Sequence, residues 1–166
     1  MAITTECADL ARQVIEMMRQ RTLTLATCES ITGGGIGSAL TSVPGASAVY
    51  RGGFITYASD LKATLAGVHR ELITEKGVVN ELTAIQMARG ALRRCAADWG
   101  VATTGVAGPT AIEGQPVGTV WFAVVGQKKG MSGRPQFTEL VHFDGDREAI
   151  REACTEHAFR MLLRVL

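Results

Sequence analysis

A serine beside a run of glycines is the side chain of this sequence best placed for nucleophilic chemistry. Ser30 stands in the stretch ESITGG, residues 29–34, and a strand pattern precedes it. A hydroxyl at such a turn would lie near unpaired backbone amides that stabilise an oxyanion, and it becomes a nucleophile when a base is in reach. No histidine is near in sequence, so a Ser-His-Asp triad is not predicted, although folding could bring one in.

A lysine offers a different base for this serine. Lys62 follows Tyr57 by one short turn in the segment TYASDLK, residues 56–62. A lysine desolvated in a cleft has a lowered pKa and can accept a proton from serine. The alternative is a solvated lysine on a helix surface, and the sequence alone favours that alternative. A Ser–Lys pair is therefore a candidate at this stage.

Glycine-bearing turns follow strands or open helices at three places: 32–37, 105–108 and 144–147. Free N–H groups at such places attract anions, and a glycine lets the chain approach a phosphate closely. Arg147 could bind a phosphate beside the third turn through two guanidinium N–H groups, or it could form a surface ion pair with Asp144 or Glu148. GxGxxG and Walker patterns are missing, so binding of dinucleotides or triphosphates through those motifs is not predicted.

The composition argues against metal and nucleic-acid sites. The cysteines lie far apart without a CxxC pair, which predicts reduced, mostly buried thiols and no metal; they are Cys7, Cys28, Cys95 and Cys154. Cys28 adjoins the serine motif and stays a minor candidate. The net charge is +1 and the basic residues are scattered, so no nucleic-acid partner is expected.

The elements that position these residues alternate between helix and strand. Apolar spacing predicts helices at 5–20, from the glycine turn to about Val43, at 59–65, at 81–98 and at 147–166. Apolar runs and alternation predict strands at 23–27, 49–57, 101–104, 117–125 and 136–143, with a flexible hairpin loop from Gly126 to Pro135. Helices covering a mixed sheet in one domain, residues 1–166, form a three-layer α/β/α sandwich of the α/β class.

Some details of these elements can also be predicted. Gly52-Gly53 indicates a bulge or a close backbone approach in its strand, and Asn80 is expected to cap the helix that follows it. The buried side of that helix would consist of Leu82, Ile85, Met87, Leu92 and Cys95.

Location and assembly are less directly encoded. The N-terminus has no apolar signal region and the apolar run 120–125 is too short to span a bilayer, so we expect a soluble cytoplasmic protein without a membrane partner. The strand 117–125 and the apolar end 162–166 could belong to the core or face a second copy. A homo-oligomer is the expectation.

Six motifs together resemble the C-terminal domain of the CinA family, over about residues 8 to 160. They are ESITGG at 29–34, RGGFITY at 51–57, GVVNE at 77–81, GVAGP at 105–109, PVGTVW at 116–121 and GDR at 145–147. The family includes nicotinamide-mononucleotide deamidases. The resemblance therefore implies hydrolysis of the carboxamide of nicotinamide mononucleotide to nicotinic acid mononucleotide and ammonia, without a metal or cofactor.

Roles for individual residues also follow from the resemblance. Ser30 would be the nucleophile and Lys62 its base, with Tyr57 close to the pair. The residues implied to surround the nucleotide substrate are Thr32, Gly33, Gly34, Thr104, Gly105, Gly108 and Arg147, with Arg147 toward the phosphate.

Two features depart from the family pattern. The family commonly has Cys after the motif serine, where this chain has Ile31, and the loop 110–115 lacks the usual run of glycines. We expect Ile31 to pack into the core. These departures leave open a different class of function, a non-catalytic nucleotide-binding protein or an accessory protein associated with competence or DNA damage.

Overall fold

Five strands form one mixed sheet in a computed structural model that describes residues 3–127 and 135–166. The strands are β1 Leu25–Glu29, β2 Tyr50–Ile55, β3 Trp99–Gly105, β4 Thr119–Gly126 and β5 Gln136–His142. Their order is β2-β1-β3-β4-β5. Strand β1 is parallel to β2 and β3, β4 is antiparallel to β3, and β5 is antiparallel to β4. The carboxyl ends of β1, β2 and β3 therefore lie at the same edge of the sheet.

Helices cover both faces of this sheet. They are α1 Thr5–Gln20, α2 Gly35–Thr41, α3 Ser59–Thr64, α4 Arg70–Lys76, α5 Glu81–Arg94 and α6 Arg147–Val165. One hydrophobic cluster joins α1, α2 and α6 to the sheet, and a second joins α5 and the segments around α3 and α4 to its opposite face. The predicted three-layer α/β/α sandwich is confirmed.

Side-chain caps begin the three longest helices. The Thr4 hydroxyl accepts from the amide of Cys7. The side-chain oxygen Oδ1 of Asn80 accepts from the amide of Thr83, so the cap predicted at Asn80 is present. An Asp146 carboxylate oxygen accepts from two amides of the first turn of α6. Each cap satisfies donors that a helix start leaves unpaired, and the third one makes Arg147 the first residue of α6.

The first strand lies two residues further along the chain than predicted. The alternation at 23–27 was misleading, because Thr24 is bonded to Asp98 through its amide and hydroxyl, and the strand begins only at Leu25. All five residues of β1 are buried, as expected for a central parallel strand covered on both faces. The shift places the end of β1 directly before Ser30.

The glycine pair of β2 meets β1 closely. The register shifts between Leu25, which pairs with Tyr50, and Ala26, which pairs with Gly52. A Cβ at Gly53 would lie only 2.1 Å from the Thr27 hydroxyl, so a larger residue does not fit there. Both the predicted irregularity and the predicted close approach are present.

Several other predictions need correction. Helix 81–98 ends at Arg94, since Ala96 adopts a left-handed conformation with φ 50°, and Leu82 is 44% exposed instead of buried. Helix α4 was not predicted, because none of its residues is fully buried and its apolar spacing is weak. The remaining boundaries agree to within two residues.

The strand that suggested a second copy lies inside the fold, whereas the apolar end 162–166 is partly buried, with Leu163, Val165 and Leu166 half-exposed at the edge of the core. Strand β4 runs between β3 and β5 with most of its residues buried, and Leu162 is 0% exposed. The homo-oligomer therefore stays a prediction. Most of the predicted hairpin loop, residues 128–134, lies outside the described residues. Among the described helices, none has the length and apolar character needed to cross a membrane.

Candidate active site

Ser30 lies immediately after β1, at the sheet edge where the parallel strands end. Its amide donates to the carbonyl of Thr103 at 3.0 Å, which continues the β1–β3 pairing by one residue. Its own carbonyl accepts from the amide of Gly33 at 3.1 Å and closes a turn over residues 30–33. The serine is 8% exposed, and this carboxyl edge is where open α/β sheets bind ligands.

Lys62 reaches Ser30 from α3. Its Nζ donates to Ser30 Oγ at 3.0 Å and to the backbone carbonyl of Thr56 at 2.7 Å. The side chain is 1% exposed, so the solvated surface lysine that the sequence alone favoured is wrong. The Thr56 carbonyl, which the sequence did not single out, gives the amine a second acceptor beside the serine.

Burial changes the acidity of this lysine. Removal from water lowers the pKa of the Lys62 ammonium from its ordinary value, and the negative charge of Glu113 opposes that effect without cancelling it. A lower pKa enlarges the neutral fraction near neutral pH, and only the neutral amine can take the serine proton.

The neighbours of the serine motif are packing residues and not competing nucleophiles. Burial raises the pKa of the Cys28 thiol to about 12, so it stays protonated, and its Sγ lies 3.5 Å from the Thr56 hydroxyl. This excludes Cys28 as a thiolate at neutral pH. Ile31 is 3% exposed and belongs to the core cluster of α1, α2 and α6, as expected.

The histidines do not supply the base in contact with Ser30. His157 is bonded to a Glu139 carboxylate oxygen at 2.7 Å and packs against the ring of Phe122, with 4.7 Å between the ring centroids. The side chain that contacts Ser30 Oγ is a lysine. The geometry is that of a Ser–Lys pair.

Glu29 is the residue of this motif that the sequence interpretation missed. Its carboxylate is 1% exposed and accepts four hydrogen bonds, from the Thr32 hydroxyl and from the amides of Gly34, Ile36 and Gly37. These amides form the start of α2, where a negative charge is favourable. A carboxylate just before a glycine-rich helix start was the available signal.

The glycine turn after Ser30 is thus arranged around a buried carboxylate. Thr32 is 0% exposed, and its hydroxyl donates to a Glu29 carboxylate oxygen at 2.7 Å. Gly33 and Gly34 have φ values of 59° and 96°, a conformation that favours glycine. The Gly34 amide is already engaged by Glu29, which limits what this turn can offer to a phosphate.

The end of β3 forms the opposite side of the edge. The Thr104 hydroxyl donates to the carbonyl of Val78 at 2.7 Å, and the Val78 amide donates to a Glu113 carboxylate oxygen at 2.7 Å. Gly105 ends the strand, where a Cβ would lie 2.6 Å from the carbonyl of Thr119. Thr104 and Glu113 therefore hold the end of β3 and the two loops that contain Val78 and Glu113 together beside the site.

Arg147 lies between the loop after β3 and the segment after β2. Its Nη1 donates to the carbonyl of Gly108 at 2.8 Å, and its Nη2 donates to the Tyr57 hydroxyl. The surface pairing considered with Asp144 or Glu148 is replaced by these contacts. Tyr57, expected close to the Ser–Lys pair, is 57% exposed and directs its hydroxyl to Arg147.

A single α/β domain with a buried Ser–Lys pair at the carboxyl ends of parallel strands defines a class of candidate hydrolases. The chain belongs to the CinA C-terminal domain family, which matches residues 7–166. It is 38% identical to the nicotinamide-nucleotide amidohydrolase PncC of Escherichia coli over 95% of this chain and 93% of that protein.

Solved structures of this family have the same fold. A competence/damage inducible protein of Agrobacterium tumefaciens is 37% identical with a TM-score of 0.89, covering 99% of this chain and 98% of that one. A CinA superfamily protein of Escherichia coli is 33% identical with a TM-score of 0.90, covering 100% and 94%. These similarities extend over the sheet and all its covering helices.

Longer relatives carry the same domain. A competence-damage inducible protein of Levilactobacillus brevis is 42% identical over 95% of this chain. The matched part makes up only 36% of that longer protein. The chain also covers 37% of a relative in Limosilactobacillus reuteri that is 41% identical. The activities of the remaining parts of those proteins do not follow for this chain.

Proposed function

We propose that this protein is a nicotinamide-nucleotide amidohydrolase that converts nicotinamide mononucleotide to nicotinic acid mononucleotide and ammonia. The observation that carries the proposal is the buried Lys62 amine 3.0 Å from Ser30 Oγ. Its support from comparison is the identity to the Escherichia coli amidohydrolase over nearly the full length of both chains.

Ser30 and Lys62 supply the first half of the reaction. Neutral Lys62 takes the proton of the Ser30 hydroxyl while Thr56 retains one of its N–H groups, and Oγ attacks the carboxamide carbon. The resulting ammonium returns the proton to the amide nitrogen as the C–N bond breaks. Ammonia leaves, and the nicotinoyl group remains bound to Ser30 as an ester.

Water completes the cycle with the same base. Lys62 accepts a proton from water, the hydroxide attacks the ester carbon, and the ammonium then protonates Ser30 Oγ as it leaves. The product is the carboxylic acid. Both halves need donors for the oxyanion, and the amides of Ile31 and Thr32 are available, since neither finds an acceptor within the part of the chain described.

The binding residues surround this centre in the proposal. Gly33, Gly34 and Gly105 leave room at the strand ends, while Thr32 and Thr104 shape the two sides through their buried hydrogen bonds. Arg147, held by Gly108 and Tyr57, would bind the phosphate of the nucleotide away from the reacting carbonyl.

Arg147→Met is expected to raise KM for nicotinamide mononucleotide by about 10- to 100-fold with little change in kcat, because it removes charged hydrogen bonds to a remote phosphate. Steady-state kinetics with nicotinamide mononucleotide and with nicotinamide riboside, which has no phosphate, provide the measurement. The riboside should react equally in both enzymes. A fall in kcat at unchanged KM would contradict a phosphate-binding role.

The rate should rise with pH. Burial lowers the pKa of Lys62, and the reaction needs the neutral amine, so kcat increases as pH rises through that lowered pKa and is constant above it. Measuring kcat from about pH 5 to about pH 9 tests this. A rate that falls as Lys62 loses its proton is incompatible with a basic role for the amine.

Product identification tests the proposed function itself. Purified protein mixed with nicotinamide mononucleotide should release ammonia and nicotinic acid mononucleotide in equal amounts. Free nicotinamide among the products would indicate cleavage of the glycosidic bond, and the absence of any product would contradict the proposal. Ile31 is one of the two departures that left a non-catalytic function open, and it packs in the core, so it gives that alternative no support.

A further inference from the structure

Arg151 of α6 contacts the turn that follows the nucleophile. Its Nε donates to the carbonyl of Ile31 at 3.3 Å and its Nη2 donates to the carbonyl of Thr32 at 3.1 Å. Other arginines of this helix pair with carboxylates, Arg160 with Glu6 and Glu156, and Arg164 with Glu139. Within residues 3–127 and 135–166, Arg151 makes no such ion pair, so its charge faces the turn.

The turn is thereby held from two sides. The Glu29 carboxylate takes the amides at the start of α2, and the Arg151 guanidinium takes the carbonyls of residues 31 and 32. Between the two anchors lie the amides of Ile31 and Thr32, which are free of acceptors in the described structure.

The Arg151 contact determines which way a peptide unit faces. Residues 30–33 form a turn closed by the Gly33 amide, and the peptide between Ile31 and Thr32 is its central unit. This unit is the one that flips between the common turn types. The C=O and N–H of a trans peptide point in opposite directions, so a carbonyl held by Arg151 directs the Thr32 amide away from α6.

We propose that Arg151 is a positioning residue that keeps the Ile31–Thr32 peptide oriented so that its amide stabilises the oxyanion formed at the Ser30 adduct. The inference rests on the proposed function for its substrate. The guanidinium also polarises the peptide that it binds, which strengthens the amide as a donor. Arg151 acts through the backbone and does not itself touch the substrate.

Arg151→Met is expected to lower kcat about 100-fold, the order found for losing one oxyanion donor, with KM within about threefold of the wild type. Arg151→Lys retains the charge but cannot bridge two carbonyls, so its loss should be near 10-fold. Arg164→Met alters the same helix far from the turn and should leave both constants unchanged. A purely structural role would lower the fraction of folded protein, so kcat is expressed per folded enzyme, with circular dichroism measuring that fraction. On this basis a structural role leaves kcat unchanged.

A second rate separates this inference from the choice of substrate. A small alkyl fluorophosphonate labels Ser30 when Oγ displaces fluoride and Lys62 accepts the proton, and it needs the same oxyanion donors. Its labelling rate should fall in Arg151→Met and Arg151→Lys in the same order as kcat. If the wild type is labelled but releases no ammonia, only the proposed substrate is contradicted. The labelling rates of the variants then still test the positioning role of Arg151.

The inference is overturned by either of two results. One is that both Arg151 variants keep kcat and labelling rates within about threefold of the wild type. The other is a loss carried by KM, as expected for Arg147→Met, which would make Arg151 a substrate-binding residue. If Arg151→Met does not fold, Arg151→Lys decides by the same two rates.

Discussion

Ser30→Ala is expected to lower kcat for nicotinamide mononucleotide by at least about 10⁴-fold, because the variant keeps the pocket but has no atom to form the ester. Among the described residues, Lys62 is the one side chain that forms a hydrogen bond with Oγ, and the turn is held by Glu29 and backbone bonds, so the fold should persist. Ammonia release gives the rate, and calorimetric titration should show nucleotide affinity near that of the wild type.

Ser38→Ala is the matched control for this variant. Ser38 is a serine on α2, a short distance along the chain from the nucleophile, and its loss should leave turnover unchanged. Turnover in Ser30→Ala equal to that of Ser38→Ala would show that Ser30 is not the nucleophile.

Lys62→Met should lower kcat by about 10²- to 10⁴-fold, the contribution usual for a positioned general base. Methionine fills a similar buried space without an amine. Lys62→Arg should be equally impaired, although it keeps a positive charge, because a guanidinium does not lose its proton in a protein. In both variants the residual rate should no longer rise with pH through the range in which the wild type does.

Lys76→Met serves as the control for removing a lysine. Lys76 is exposed in the last turn of α4, and its substitution should change neither kcat nor the pH profile. Circular dichroism of Lys62→Met and Lys62→Arg reports directly whether each variant keeps the fold. High activity in Lys62→Arg would assign Lys62 an electrostatic role in place of proton transfer.

Local signals predicted most of the architecture. The cap at Asn80 and the apolar spacing of α1 act over a few residues, so they are readable before any fold is known. The first strand was misplaced for the opposite reason. Whether Thr24 or Glu29 belongs to β1 depends on Asp98 and on the neighbouring strands, which are distant in sequence.

The site depended more strongly on tertiary contacts. Nothing near Lys62 in sequence indicates its burial, because its partner Ser30 lies on a different element, 32 residues away along the chain. Arg151 lies 120 residues from Ile31 along the chain, and no local pattern connects the two. The motif around Ser30 could be found from sequence, whereas the residues that orient it could not.

The position of Glu29 also changes the interpretation of the glycine turn. A glycine-rich helix start is a common anion site, and here the anion is a side chain of the same motif. In the proposed function the phosphate of the nucleotide is therefore assigned to Arg147, which bridges the segments that follow β2 and β3. The amides of Ile31 and Thr32, for which the described residues provide no acceptor, are in that proposal assigned to the reacting carbonyl.

Interception of the Ser30 ester by hydroxylamine tests the central claim most directly. The carboxamide and the methyl ester of nicotinic acid mononucleotide should pass through one acyl-enzyme, so both should give the hydroxamate and the free acid in the same ratio at a given hydroxylamine concentration. Mass spectrometry measures the ratio. Turnover without hydroxamate, or a ratio that depends on the leaving group, would contradict a Ser30-bound intermediate.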